Sequence, residues 1–327
     1  MRKTNGCYSI AYSSSDAYSW IAGVSLKSLF DNNKGENFTI HYLCNNVSNK
    51  NKELLKKQCE EYGYEIYFYD IEKFNNKYYK HKIDKKWDFA TFGRLFEAEI
   101  LPSNVLDVLH IDCDTIINKN ISDLLQTDMT KYAVAGVKEC LSKRYCFNIG
   151  VDDNKILINA GVLIFNLDYF RKNFLVQRFY ECLNNNDKLK YLDQDVLNIC
   201  IKNEELKILD LRFNAYSVIF YFTYKQLLKL RSPSSFYNES EYLIAINSPS
   251  IIHFTTCRYD FGRPWNFENN HPLKKIFNKY LNESIFFDKK MIHIKKDLKI
   301  IIARHLPKWI SINISNFVNQ KIKPLTK

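Results

Sequence analysis

Val105-Leu106-Asp107-Val108-Leu109-His110-Ile111 runs directly into Asp112-Cys113-Asp114-Thr115, and this join between an apolar run and two carboxylates decides how the chain is read. A short run rich in Val, Leu and Ile, with Pro102 just ahead of its turn, reads as a buried strand. Side chains alternate faces along extended backbone, so Asp112 and Asp114 are expected to point the same way at the sheet's edge while Cys113 turns back into protein. Hard oxygen ligands at that spacing suit Mg²⁺ or Mn²⁺, and such a cation suits a diphosphate. A D-x-D taken alone reads more readily as a solvated turn or a helix cap, so its weight comes from its surroundings.

Outward from this strand, the first hundred residues alternate between two periodicities. Residues 7–12, 38–43 and 65–69 read as strands, and residues 20–30 and 52–62 as helices, with a further strand at 160–166. Alternation of this kind predicts βαβ units and an α/β fold whose ligands gather beyond the carboxyl ends of the strands. A composition shift near residue 280 predicts a globular body over residues 1–280 and a basic tail over 281–327.

Bulk properties exclude several classes. Of 327 residues, 46% are hydrophobic, 15% aromatic and 25% charged, which excludes disorder and coiled coil. The N-terminus reaches polar Ser13, Ser14, Ser15 and Asp16 without a long apolar run, so no signal peptide is expected, and no stretch of about 18 apolar residues suggests a membrane span. Nine cysteines without a C-x-x-C pair predict free thiols in a reducing compartment, hence a cytoplasmic location. Of the net charge of +11, residues 285–327 hold +8, from ten Lys or Arg against Asp288 and Asp297, which leaves +3 for the body. That near-neutral body carries no RNP-like or helix-turn-helix signature, so nucleic acid is not an expected partner.

Five blocks in order give the D-x-D its context. Arg94-Leu95-Phe96, Leu101-Pro102 and Val108 to Thr115 come first, then Asn159-Ala160-Gly161-Val162-Leu163-Ile164-Phe165-Asn166-Leu167. Tyr191-Leu192-Asp193-Gln194-Asp195-Val196-Leu197-Asn198 follows with Arg212-Phe213-Asn214, and Ile252-His253-Phe254 with Arg263-Pro264-Trp265 closes the series. Together, over roughly residues 7–265, they resemble the retaining glycosyltransferase family 8, which includes bacterial lipooligosaccharide galactosyltransferases and glycogenin. The resemblance implies a GT-A type fold, a mixed central sheet flanked by helices, with the basic helical tail outside it. It implies transfer of a hexose, of galactose or glucose type, from a UDP-sugar to a growing bacterial surface glycan such as lipopolysaccharide, lipooligosaccharide or capsule.

The resemblance assigns roles residue by residue. Asp112, Asp114 and His253 would hold Mn²⁺ or Mg²⁺, a carboxylate and imidazole set suited to that cation, although His253 alone reads as a buried core histidine. Arg263 stands where the family has a Lys facing the phosphates, and its fork suits phosphate oxygens. Arg94, Ala160 and Gly161 would join the donor site, with the glycine allowing close backbone approach to the sugar. Asn159 would contact a hydroxyl or the acceptor. Asp193 or Gln194 would face the positively charged sugar that develops as the bond breaks, Asp193 reading alternatively as the N-cap of a helix over 196–201.

The sequence departs from the family pattern at two places. Ser15-Asp16-Ala17-Tyr18 replaces the usual Asp-x-Asn-Tyr, which leaves Ser15 and Tyr18 as the candidate base and ribose contacts. The loop between His253 and Arg263 is longer, with Thr256 or Cys257 where glycine is expected. The acceptor, a glycan or a lipid-linked sugar, is expected to meet the variable residues 74–87. In the tail, Phe287, Met291, Ile294, Leu298, Ile301 and Ile302 form one apolar stripe on a helix over 287–302, with Lys289, Lys296, Lys299 and Arg304 off it. Pro307 would stop that helix, and Trp309 suits a lipid interface. The stripe either contacts the anionic inner face of the cell membrane or packs back on the body. Two other functions compete: self-glucosylation on tyrosine, as in glycogenin, for which 22 tyrosines leave room, and non-enzymatic binding to an anionic surface.

Overall fold

The structure, a computed structural model, describes residues 1–72, 88–186, 189, 191–257, 259–295 and 298–318. The residues at 74–87, read above as meeting the acceptor, lie outside that set. A seven-stranded sheet has the order β3-β2-β1-β4-β7-β6-β8, built from β1 (Tyr8–Ser15), β2 (Phe38–Asn45), β3 (Glu65–Asp70), β4 (Asp107–Ile111), β6 (Val134–Lys138), β7 (Ile158–Asn166) and β8 (Leu206–Ile208). Pairings β1/β2, β2/β3, β1/β4 and β6/β8 are parallel, while β7 runs antiparallel to both β4 and β6. The sheet is therefore mixed, as the fold reading requires. A smaller sheet joins β5 (Thr115–Ile117), β10 (Ile251–His253) and β9 (Ala215–Tyr216), with β10 in the middle.

Away from the edge strands both faces of the large sheet are buried, and β4 and β7 accordingly hold mostly apolar residues. Ile10, Tyr12, Leu109, Ile111, Val162 and Ile164 pack into one core. Their neighbours Ala11, Val108, Leu163 and Phe165 pack into a second on the other face. The helix Asp16–Asn32 covers the first face, with Asp16 in its first turn at the positive end of the helix dipole. Its serines bury without strain because each is bonded: Ser25 Oγ lies 3.0 Å from the Tyr12 hydroxyl and 2.9 Å from Thr115 Oγ1, and Ser28 Oγ donates to the Ser25 carbonyl.

The chain beyond residue 280 contributes to this core. Phe286 is fully buried, and its ring lies so close to Gly23 that a Cβ there would fall 2.1 Å from Phe286 Cε2. The single helix expected over 287–302 does not form. Residues 287–295 run irregularly, Ile292 bridging to Asn266, and two short helices follow, Leu298–His305 and Lys308–Phe317. Pro307 separates them, since its ring cannot continue the first helix. The second packs on the body: Ile312 is buried, Ser311 Oγ lies 2.6 Å from the Tyr259 hydroxyl, and Lys308 Nζ donates to the Tyr221 carbonyl at 3.0 Å. Trp309, Ile314 and Phe317 stay exposed on its other side. Among the described residues no helix is long and apolar enough to cross a membrane.

Candidate active site

A cavity of about 640 Å³ opens at the carboxyl ends of β1 and β4. The strand order reverses there, with β2 on one side of β1 and β4 on the other, the place where α/β sheets leave a crevice for ligands. Its size falls within the usual range for small-molecule and cofactor sites.

Asp112 and Asp114 converge, but not by strand alternation. Residues 112–114 form a turn that joins β4 to β5. The turn is pinned from both sheets: the Asp112 amide donates to the Gly161 carbonyl at 2.8 Å, and the Phe254 amide donates to the Asp114 carbonyl at 2.9 Å. Cys113 points inward as expected, its thiol 3.3 Å from the Ser13 carbonyl. His253, the last residue of β10, places Nε2 3.3 Å from Asp114 Oδ1 and 3.6 Å from Asp112 Oδ2. One ligand atom from each of the three residues lies within 4.8 Å of the other two.

Whether this set fits a divalent cation is decided by which imidazole nitrogen carries the proton. Asn159 Nδ2 donates to Glu139 Oε2 at 2.6 Å, and Asn159 Oδ1 accepts from the Gly161 amide at 2.9 Å, so the orientation of that amide group is fixed. Asn214 Nδ2 then donates to Asn159 Oδ1 at 2.8 Å, which turns Asn214 Oδ1 towards His253 Nδ1, 2.9 Å away. Nδ1 carries a proton, so Nε2, which faces the two carboxylates, is the nitrogen left to ligate a cation. A tautomer set by an outer hydrogen bond is the usual arrangement for a ligating histidine, and the residues fit the cation.

Gly161 serves this geometry. A Cβ there would sit 2.0 Å from His253 Cε1, so the close approach that the glycine permits is that of the imidazole ring.

Arg94, in the 3-10 helix Phe89–Phe96, binds both halves of the site. Its guanidinium holds Asp112 Oδ1 at 2.5 Å and Asp193 Oδ2 at 3.0 Å, and it donates to the Ala160 carbonyl. Burial pushes the Asp193 carboxyl up to about 7, against the pull of Arg94 and with the repulsion of Asp112. Asp114 is held well below the usual carboxylate range, Arg263 and His253 outweighing its burial. Arg263 donates to Asp114 and to the Phe254 carbonyl. Asp193 lies in the first turn of the helix Leu192–Cys200, which starts earlier than the one expected over 196–201 and has Tyr191, not Asp193, at its N-cap. Gln194 Oε1 accepts from the Ala160 amide at 3.1 Å. Ser15 and Tyr18 line the mouth of the cavity, Tyr18 edge-on to Trp265 with centroids 5.8 Å apart.

The structure thus brings Asp112, Asp114, His253, Arg263, Arg94, Asn159, Ala160, Gly161, Asp193, Gln194, Ser15 and Tyr18 around one cavity. Sequence reasoning missed Glu139 and gave Asn214 no role. Glu139 directly follows β6, so it carried the same signal as Asp112, a carboxylate just after an apolar strand.

The family model for glycosyl transferase family 8 matches residues 9–268. The chain belongs to that family and is a glycosyltransferase. It is 22% identical over 287 residues to general stress protein A of Bacillus subtilis, covering 86% of this chain and 95% of that one. It is 23% identical to a lipopolysaccharide 1,2-glucosyltransferase of Escherichia coli, covering 85% of this chain and 78% of the relative. Among solved structures, galactosyltransferase LgtC in complex with donor and acceptor sugar analogs superposes with a TM-score of 0.71 at 21% identity, over 84% of this chain and 96% of that one. The shared fold is the GT-A fold.

Proposed function

We propose that the chain moves a hexosyl unit from a UDP-sugar, with retention at the anomeric carbon and dependence on a divalent cation, preferentially Mn²⁺, onto a growing bacterial surface glycan. The observation that carries this reading is the convergence of Asp112, Asp114 and Nε2 of His253 at the switch point of the sheet. The lipopolysaccharide glucosyltransferase among the relatives supports the acceptor class.

In this reading Ser15 and Tyr18 receive the base and ribose, and the diphosphate lies against Arg263. Asp112, Asp114 and His253 would hold the cation, which supplies positive charge to meet that of the departing nucleotide diphosphate. Asn159 and the backbone around Ala160 and Gly161 orient the sugar. Asp193, buried and held by the same Arg94 guanidinium as Asp112, would place a polar or anionic group where the sugar becomes positive, an interaction felt in the transition state more than in the bound donor. Arg94 sets the position of both carboxylates. The basic residues of the tail, with Trp309 and Phe317 exposed, support peripheral contact with an anionic membrane, each charge near such a surface contributing on the order of 1 kcal/mol.

The test is a hydrolysis panel of UDP-glucose, UDP-galactose and their N-acetyl forms with and without Mn²⁺. Cation-dependent release of UDP from one donor, with the free sugar initially of retained configuration by NMR, is expected. No release from any donor, or release that ignores the cation, would refute the reading. For the membrane contact, Trp309→Ser combined with Phe317→Ser in the full chain should weaken sedimentation with anionic vesicles while leaving donor hydrolysis intact; unchanged sedimentation would remove the tail from the mechanism.

A further inference from the structure

Nine charged or imidazole side chains line the cavity: Asp88, Arg94, Asp112, Asp114, Glu139, Asp193, Arg231, His253 and Arg263. Eight have bonded partners. Arg94 and Arg263 hold the carboxylates already described, Asp88 accepts from Asn45 and from the Ala90 amide, and Glu139 accepts from Asn159 and from the Cys140 amide. Arg231 differs: among the described residues it donates no hydrogen bond and closes no ion pair, and its Nε is shut off from solvent without a partner. The residue as a whole is half-buried, so the rest of its fork is open to the cavity and free of any protein partner among the described residues, where a ligand can meet it.

The position of Arg231 says which part of the ligand that is. It ends the helix Tyr224–Arg231 and lines the cavity with Tyr191, Leu230, Cys257 and Ser315, the last from the C-terminal helix Lys308–Phe317. That C-terminal helix braces it, since Asn316 Nδ2 donates to Ser232 Oγ at 3.1 Å just past the helix end. The route from the cation ligands to this corner runs through His253, Asn214, Asn159 and Glu139, each bonded to the next. Glu139 provides the strongest attraction on the Arg231 charge, yet its own oxygens are engaged elsewhere and the two do not pair. In the donor placement proposed above, Arg263 and the Asp112, Asp114 and His253 set would serve the phosphates, which leaves the Arg231 fork for a different part of the ligand.

We propose that Arg231 binds an anionic group on the acceptor, a carboxylate or a phosphate ester carried by the sugar that receives the hexose. A guanidinium offers parallel N–H donors matched to either anion. The inference rests on the donor placement under Proposed function and adds the acceptor's charge to it. Arg231 is a specificity-determining residue in this scheme, and Tyr191 supplies an aromatic wall beside it.

The test uses the full chain saturated with UDP and Mn²⁺, so that anions cannot occupy the donor site. Methyl β-glucoside, methyl β-glucuronide and methyl β-glucoside 6-phosphate are titrated by ligand-observed NMR, with UDP and Mn²⁺ binding measured first by calorimetry. Wild type should bind at least one anionic probe about tenfold or more tightly than the neutral one, and the carboxylate to phosphate ratio identifies the source of the anion. Arg231→Met should erase that preference, and Arg231→Lys should keep part of it, charge without the fork. Equal binding of all three probes, binding of none, or a preference that survives Arg231→Met overturns the inference while leaving the donor reading in place. Failure of wild type to bind UDP with Mn²⁺ overturns both.

Discussion

Replacing Gly161 by alanine perturbs the candidate metal site without touching any ligand. A Cβ at 161 would stand 2.0 Å from His253 Cε1, 2.3 Å from Nδ1 and 3.0 Å from Nε2, so the ring must retreat by 1.4 Å to restore ordinary contact at 3.4 Å. The ring is buried and its Nδ1 is held by Asn214 at 2.9 Å, which leaves it no free direction. Metal–ligand distances tolerate about 0.2 Å, so a shift of this size takes Nε2 out of coordination. Mn²⁺ affinity in the presence of UDP should fall about 10- to 100-fold, the range typical for disturbing a ligand's support, and overpacking should cost about 1–3 kcal/mol of stability. Free Mn²⁺ can be followed by electron paramagnetic resonance, and stability by urea unfolding. The decisive control is a double-mutant cycle: in His253→Ala the ring is gone, so adding Gly161→Ala should cost little more. Wild-type Mn²⁺ affinity in Gly161→Ala, or an equal further loss in the His253→Ala background, would refute the steric argument.

Asp112→Asn and Asp114→Asn should each abolish cation-dependent UDP binding by calorimetry while the fold persists by circular dichroism, because each removes an anionic oxygen from the set; retained binding in either would remove that residue from the site. Asn214→Leu should lower Mn²⁺ affinity at least tenfold although it is not itself a ligand, since it frees the His253 tautomer; affinity within twofold of wild type would show that the hydrogen-bond chain is not needed. Phe286→Ala should destabilise the protein by about 3–5 kcal/mol in urea unfolding, as expected for losing a fully buried ring, and a loss below about 1 kcal/mol would show that the chain beyond 280 is not anchored there. Asp193, pushed up to about 7 by burial, binds its proton more tightly folded than unfolded. Its contribution to stability is therefore present below about pH 4, the unfolded value, and is lost as pH rises to about 7. In metal-free protein Asp193→Asn should match wild type near pH 4 and exceed it at pH 8, by at most about 4 kcal/mol at 1.36 kcal/mol per unit. A difference between the two that does not change with pH would refute the raised value.

The parts of the fold legible in the sequence are those whose cause is local. Residues 38–43 and 105–111 read as strands because a strand buried on both faces is mostly apolar, the polar His41, Asp107 and His110 being buried among the rest. The helix Asp16–Asn32 was legible in its apolar middle, residues 20–30, but not in its first turn, where Asp16, Ala17 and Tyr18 face the cavity mouth or solvent and carry no periodic signal. The three-residue strands β5 and β10 and the two-residue β9 are too short for any pattern to declare them, yet β10 delivers His253. The tail shows the opposite failure. Its stripe at steps of three and four was real, but Phe287, Leu298 and Ile302 are exposed while Phe286 and Ile312, off the stripe, are the buried anchors. Periodicity reports that a face could be buried, and only the complementary surface, here Gly23 with its missing side chain, decides where the chain docks.

For the site, residue type was enough where chemistry demands it and failed where geometry does. Two carboxylates after a strand mark a candidate cation site, and Asp112 and Asp114 do converge, although a turn and not strand alternation brings them together. Nothing local, however, says that Arg94 divides its fork between Asp112 and Asp193, residues 18 and 99 positions away, or that the His253 proton is placed by a relay that begins at Glu139. These are relations among residues that meet only after β4, β6, β7, β9 and β10 have come together. They also hold the consequence that residue types alone miss. Arg94 and Arg263 pair with the carboxylates of the candidate metal site, the Glu139 relay orients its imidazole, and among the described residues Arg231 is left without a partner. A neutral acceptor would make no use of a half-buried guanidinium that faces the cavity without a protein partner, whereas an anionic acceptor would complete its fork.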